Sequence, residues 1–122
     1  MSDFAFFFDT FALFEIIYGN PKYEKYKSAR AITTIFNAAE LNYGLKKEFD
    51  KATANKITEK YYPLAADIGL GELQEAMDLK IKNKQLSAAD AIGYTVAKSR
   101  GVKFLTGDKE FEKMTNVEFV KK

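Results

Sequence analysis

The chain opens on an unbroken apolar run, Phe4-Ala-Phe-Phe-Phe8, halted by Asp9. A strand without alternation suits the middle of a parallel sheet, where both faces are covered by helices. Thr10 to Tyr18 reads as a helix closed by Gly19-Asn20-Pro21. Asn20 and Pro21 form an N-cap and first-turn pair for a second, polar helix through Lys27. Arg30-Ala-Ile-Thr-Thr34 concentrates β-branched residues and reads as the second strand. A helix follows from Ile35 to about Phe49, with Phe36, Ala39, Tyr43 and Lys47 on one side, and another from Ala54 to Tyr62, ended by Pro63. Pro63 to Ile68 fits either a short strand or a connector.

Beyond Gly69 and Gly71, Leu73, Met77 and Ile81 share a face at helical spacing. Ser87 through Ser99 predicts a further helix with Gly101 in the C-terminal position. Val102-Lys-Phe-Leu105 reads as a strand, Thr106-Gly107-Asp108 as a turn into a short helix, and Val117-Glu-Phe-Val120 as the last strand. Strands alternate with helices throughout, without repeats or linkers. The expected fold class is α/β: a three-layer α/β/α sandwich with a central parallel sheet, in a single domain over residues 1–122.

Composition narrows the chemistry. Neither cysteine nor histidine occurs, so disulfides, zinc ribbons and Cys-His or Ser-His-Asp sites are excluded. A catalytic metal would be held by oxygen ligands, which points to magnesium or manganese. The net charge of +2 is too small to advertise a nucleic-acid binder, unless carboxylates gathered in one site leave the remaining surface more basic. Apolar runs fall short of the roughly 20 residues of a membrane span, and the N-terminus lacks a signal-peptide pattern. A cytoplasmic protein is expected.

Four acids stand at the places where open α/β sheets build sites, outside the carboxyl ends of the strands. Asp9 directly follows the first strand, and Asp108 lies just beyond the Val102–Leu105 strand. Glu40 is one to two turns into the helix after the second strand, and Asp90 is in the first turn of the helix from Ser87. Each has a local alternative. Asp9 and Asp108 could cap the helices that follow them, Ser87-Ala-Ala-Asp90 has the form of a capping box, and Glu40 could face solvent. As a set they are harder to explain structurally. Carboxylates converging on one cleft repel and raise one another's pKa values, and a divalent cation relieves that repulsion.

The order of these features resembles the PIN-domain ribonucleases, in particular the VapC-type toxins of prokaryotic toxin–antitoxin pairs. The pieces that carry the resemblance are Phe8-Asp9-Thr10 with Ala12-Leu13, Ala39-Glu40-Leu41 with Tyr43-Gly44, Leu86-Ser-Ala-Ala-Asp90-Ala91-Ile92, and Phe104-Leu-Thr-Gly-Asp108-Lys-Glu-Phe111. Together they span almost the whole chain, although Thr53 to Lys84 matches only in being helical. Phe11 stands where a small residue is common. The resemblance implies an endoribonuclease with Asp9, Glu40, Asp90 and Asp108 holding Mg2+ or Mn2+, supported by Thr10 and Thr106. A metal-positioned water would attack a backbone phosphate in line, leaving 5′-phosphate and 3′-hydroxyl ends. Lys46, Lys47 and Lys109 are candidate phosphate contacts. The implied partners are the RNA substrate, a protein antitoxin bound along the early helices, and a second copy in a homodimer. The helix Thr10–Tyr18, apolar nearly all round, fits either burial or such an interface. A PIN-like binding module without nuclease activity and a housekeeping RNA-processing nuclease stay open as alternatives.

Overall fold

In the computed structural model, which describes residues 5–122, Phe6–Phe8 forms strand β1. The Phe4 end of the expected strand lies outside the described residues. β1 is flanked by β2 (Ala31–Ile32) and β3 (Lys103–Thr106), and β4 (Val117–Phe119) completes the order β2-β1-β3-β4, every pairing parallel. The pleat explains the unbroken apolar run. Phe7 points to one face, among Ile32, Ile92, Phe104 and Phe111, while Phe8 points to the other, among Leu13, Ala31, Leu41 and Leu105. Each buried ring contributes about 1.5–3 kcal/mol of transfer free energy.

The Phe8 face is covered by α1 (Thr10–Ile17), α2 (Ile35–Lys46) and α3 (Lys51–Tyr61). The Phe7 face is covered by α4 (Leu70–Lys82) and α5 (Ala88–Ser99). The result is the expected three-layer sandwich. α5 packs closely on the sheet: a Cβ added at Gly93 would sit 2.9 Å from the Phe7 ring. Gly101, at φ +70°, ends α5 with the expected left-handed residue.

Several boundaries differ from the sequence reading. Pro21–Tyr26 is a 3₁₀ helix, although Asn20 does cap it by accepting the Lys22 N–H at 2.9 Å. α3 begins three residues earlier than expected because Asp50 caps it, accepting the Thr53 N–H at 3.2 Å. α2 stops at Lys46. The segment after Pro63 combines both readings, a 3₁₀ turn over Tyr62–Leu64 and then a single parallel bridge from Ala65 to Thr33. The face of α2 carrying Phe36, Ala39, Tyr43 and Lys47 is the exposed one, with Tyr43 67% exposed; its buried face is Asn37, Ala38, Leu41 and Leu45. No helix among the described residues is long and apolar enough to cross a membrane.

Candidate active site

Because every strand is parallel, all carboxyl ends lie on one edge of the sheet, and Asp9, Asp90 and Asp108 stand near one another there. Asp9 leaves β1 in extended conformation and is 3% exposed. Its Oδ1 accepts the Ala12 N–H at 2.7 Å, capping α1, and its carboxyl also bonds the Thr106 side chain. Its pKa is pushed up to about 8, first by burial and then by the negative fields of Asp90 and Asp108; the bonds from Thr106 and Ala12 pull the other way.

Asp90 forms the expected capping box. Its Oδ2 accepts the Ser87 N–H at 3.1 Å, and its own N–H donates to Ser87 Oγ at 3.0 Å. Its pKa is raised, mainly by burial and partly by Asp108, against the Ser87 bonds and the nearby Lys80 cation. Lys80 is held by its Nζ donating to the Leu86 carbonyl at 2.8 Å. Asp108 caps the 3₁₀ turn Lys109–Phe111 by accepting the Glu110 N–H at 3.0 Å, and its own N–H donates to Thr106 Oγ1 at 3.0 Å. Thr106, fully buried at the end of β3, therefore touches both Asp9 and Asp108.

The capping role and the convergence coexist. Asp9, Asp90 and Asp108 each cap a helix or 3₁₀ turn, and they also lie within one another's fields. Glu40 is not among the charges that act on Asp9 or Asp90, and among the described residues it connects to this edge through Thr10 alone. Half-buried on α2, it accepts the Thr10 O–H at 2.6 Å, and Thr10 is the residue after Asp9. Behind Thr10 lie two residues the sequence reading did not single out. Asn37 Nδ2 donates to Thr10 Oγ1 at 3.1 Å, and Thr34 Oγ1 donates to Asn37 Oδ1 at 2.7 Å. The signal for Asn37 was present: it stands four residues before Leu41, on the buried stripe of α2.

Phe11 is accommodated by Gly107, where a Cβ would lie 2.4 Å from the Phe11 ring. The glycine inside Thr106-Gly107-Asp108 is thus the space the larger side chain occupies. Lys46, Lys47 and Lys109 are exposed, and Lys47 Nζ sits 4.7 Å from the centre of the Tyr43 ring.

Among the described residues, no three acidic side chains are close enough to ligate one ion together. The donor chemistry still suits a hard cation. Magnesium is commonly held by one or two carboxylates while keeping several waters, and the raised pKa of Asp9 marks a buried carboxyl that lacks a counter-charge.

The PIN domain family model matches residues 6–117, and the chain belongs to the PIN-domain family. Solved structures agree in fold. A toxin–antitoxin complex from Klebsiella pneumoniae is similar with a TM-score of 0.74 at 18% identity, over 93% of this chain and 96% of that one. A protein from Pyrobaculum aerophilum gives 0.73 at 22% identity, over 96% and 91%. A DNA-bound VapBC from Salmonella typhimurium gives 0.73 at 19% identity, over 97% and 98%. No curated protein matches the sequence.

Proposed function

We propose that the chain is a Mg2+- or Mn2+-dependent endoribonuclease of VapC type, the toxin of a toxin–antitoxin pair. The observation that carries the reading is Asp9: a buried carboxyl at the carboxyl end of the central strand, raised to about 8 in the fields of Asp90 and Asp108. Membership of the PIN-domain family and the likeness in fold to toxin–antitoxin complexes support it.

In this reading Asp9, Glu40, Asp90 and Asp108 hold the metal directly or through its waters. When bound, the ion supplies Lewis-acid activation of a water and of the scissile phosphate. The chain's own residues set the geometry. Thr106 orients the Asp9 carboxylate and the Asp108 backbone, Thr10 orients Glu40, and Ser87 fixes Asp90. Lys109, Lys121 and Lys122, together with one acid, Glu112, and the apolar Phe11 and Phe119, line a cleft of about 220 Å³. Lys109 directly follows Asp108, and in this reading the three lysines contact RNA phosphates.

A second cleft, of about 750 Å³, runs between α1 and α2 past Phe14, Tyr18 and Gly44, and suits an antitoxin peptide along the early helices. Exposed Ile35, Phe36, Tyr62 and Leu70 form an apolar groove that would be covered in a homodimer. One observation favours a second reading, a PIN-like binding module: no three acids stand in ligating range of a common point among the described residues.

Incubating a mixed RNA pool with Mg2+ or Mn2+ separates the two. The nuclease reading predicts metal-dependent cutting, with 5′-phosphate ends, that disappears in Asp9→Asn and Asp108→Asn. Folded wild-type protein that binds Mn2+ and cuts nothing would favour the binding module.

A further inference from the structure

Two polar side chains are buried behind the acidic edge, and only one of them is explained by local structure. Thr34 is fully buried and Asn37 is 1% exposed, on the stripe of α2 that otherwise carries Ala38, Leu41 and Leu45. Thr34 is the α2 N-cap, its Oγ1 accepting the Asn37 N–H at 3.3 Å, so its place is accounted for. The Asn37 amide is not. An apolar residue of its size would avoid the desolvation cost of an amide.

The hydrogen bonds give the amide a direction. The Thr34 hydroxyl donates to Asn37 Oδ1 at 2.7 Å, and the amide's Nδ2 faces the other way as the donor. Asn37 Nδ2 then donates to Thr10 Oγ1 at 3.1 Å. A threonine hydroxyl has a single proton. With the amide N–H already pointing at its oxygen, Thr10 cannot donate toward Asn37, and its proton goes to Glu40 Oε1 at 2.6 Å. The chain Thr34, Asn37, Thr10, Glu40 thus runs one way, from a helix cap to the only one of the four acids that caps nothing.

We propose that Asn37 is a positioning residue that, oriented by Thr34, commits the Thr10 hydroxyl to Glu40 and so holds the Glu40 carboxylate toward the metal site. This rests on the metal-dependent reading above. Asp9, Asp90 and Asp108 are fixed by backbone N–H groups at helix or 3₁₀ starts. Glu40, on a longer side chain one and a half turns into α2, has this side-chain relay in their place. Residues that orient metal ligands change metal affinity by about 10- to 100-fold when removed.

The test is calorimetric titration of the full chain with Mn2+, without RNA, on wild type, Asn37→Leu, Thr34→Val, Thr10→Val and the Asn37→Leu/Thr10→Val pair. Thermal unfolding is measured alongside. Asn37→Leu should weaken Mn2+ binding about tenfold, and Thr34→Val should weaken it in the same direction without touching Thr10 or Glu40. The pair should lose no more than Thr10→Val alone, because both act through one hydrogen bond. Lower melting temperatures with unchanged Mn2+ affinity, or losses that simply add in the pair, would overturn the proposal and make Asn37 a structural residue. If Asn37→Leu does not fold, Thr34→Val against Thr10→Val decides by the same criteria. Wild type that fails to bind Mn2+ overturns the nuclease reading and this inference together; wild type and variants that bind equally overturn this inference alone.

Discussion

Replacing Asp9 by asparagine should make the metal-free protein more stable, by an amount that grows with pH. The carboxyl is ordinarily half-protonated at 3.8 and in the fold is pushed up to about 8, chiefly by burial. Between those values the folded chain holds a proton that the unfolded chain has released. Stability from this group is therefore complete below pH 3.8 and is lost as pH rises through about 8. The loss runs at roughly 1 to 1.5 kcal/mol per pH unit, reaching the order of 4 kcal/mol by pH 7 as an upper bound, since relaxation around the charge reduces it. That is a large share of a typical stability of about 5–15 kcal/mol. Asparagine isolates the charge, because its side-chain oxygen can still accept the Ala12 N–H and keep the α1 cap. The assay is urea unfolding of both proteins in chelator from pH 5 to pH 9. The stability gap should widen steadily to about pH 8 and then level off. A gap independent of pH, or a variant less stable throughout, would show that Asp9 serves as a cap alone and refute the reasoning.

Thr106→Val removes a bond that lowers the Asp9 pKa, so the acidic limb of the cleavage pH profile should move to higher pH; an unmoved limb would remove Thr106 from the site. Gly93→Val should cost about 1–3 kcal/mol in urea unfolding, because the new side chain meets Phe7 at 2.9 Å and Phe104 at 3.3 Å, both rings being fully buried. Glu72 is held down to about 2, first by the Arg100 guanidinium, with Ser99 and the Gly69 N–H adding to it against partial burial. Its contribution is therefore present above its ordinary value of 4.5 and is lost as pH falls toward 2, and Glu72→Gln should cost about 1–2 kcal/mol at pH 7 with the gap closing toward pH 3. If the lysine-lined cleft holds RNA, replacing Lys109, Lys121 and Lys122 by glutamine should weaken binding and flatten its dependence on salt; an unchanged salt slope would place the RNA elsewhere.

The sheet was legible because its signals are local. The apolar run ending at Phe8 could serve on both faces only as an interior strand, and β1 lies between β2 and β3. The acids were legible as positions but not as roles. Helices and 3₁₀ turns begin at the carboxyl edge, so capping and metal binding call for the same residue type in the same place, and Asp9, Asp90 and Asp108 cap while also facing one another. What depends on tertiary neighbours was hidden. Phe36 and Tyr43 look like a core stripe and are exposed, while polar Asn37 is buried because Thr34 and Thr10 satisfy its amide. The start of α3 was missed for a smaller reason: the Asp50 cap, four residues upstream of Ala54, was not recognised as a helix start.

Burial pushes the Asp9 carboxyl up to about 8, so a divalent ion bound there near neutral pH takes the place of its proton. Calorimetric titration of Mn2+ into the metal-free protein at pH 6.5, repeated in buffers of differing ionisation enthalpy, counts the protons released on binding. The wild-type protein should release about one proton per ion bound, and Asp9→Asn markedly less. Binding without proton release, or the same release from both proteins, would contradict this exchange.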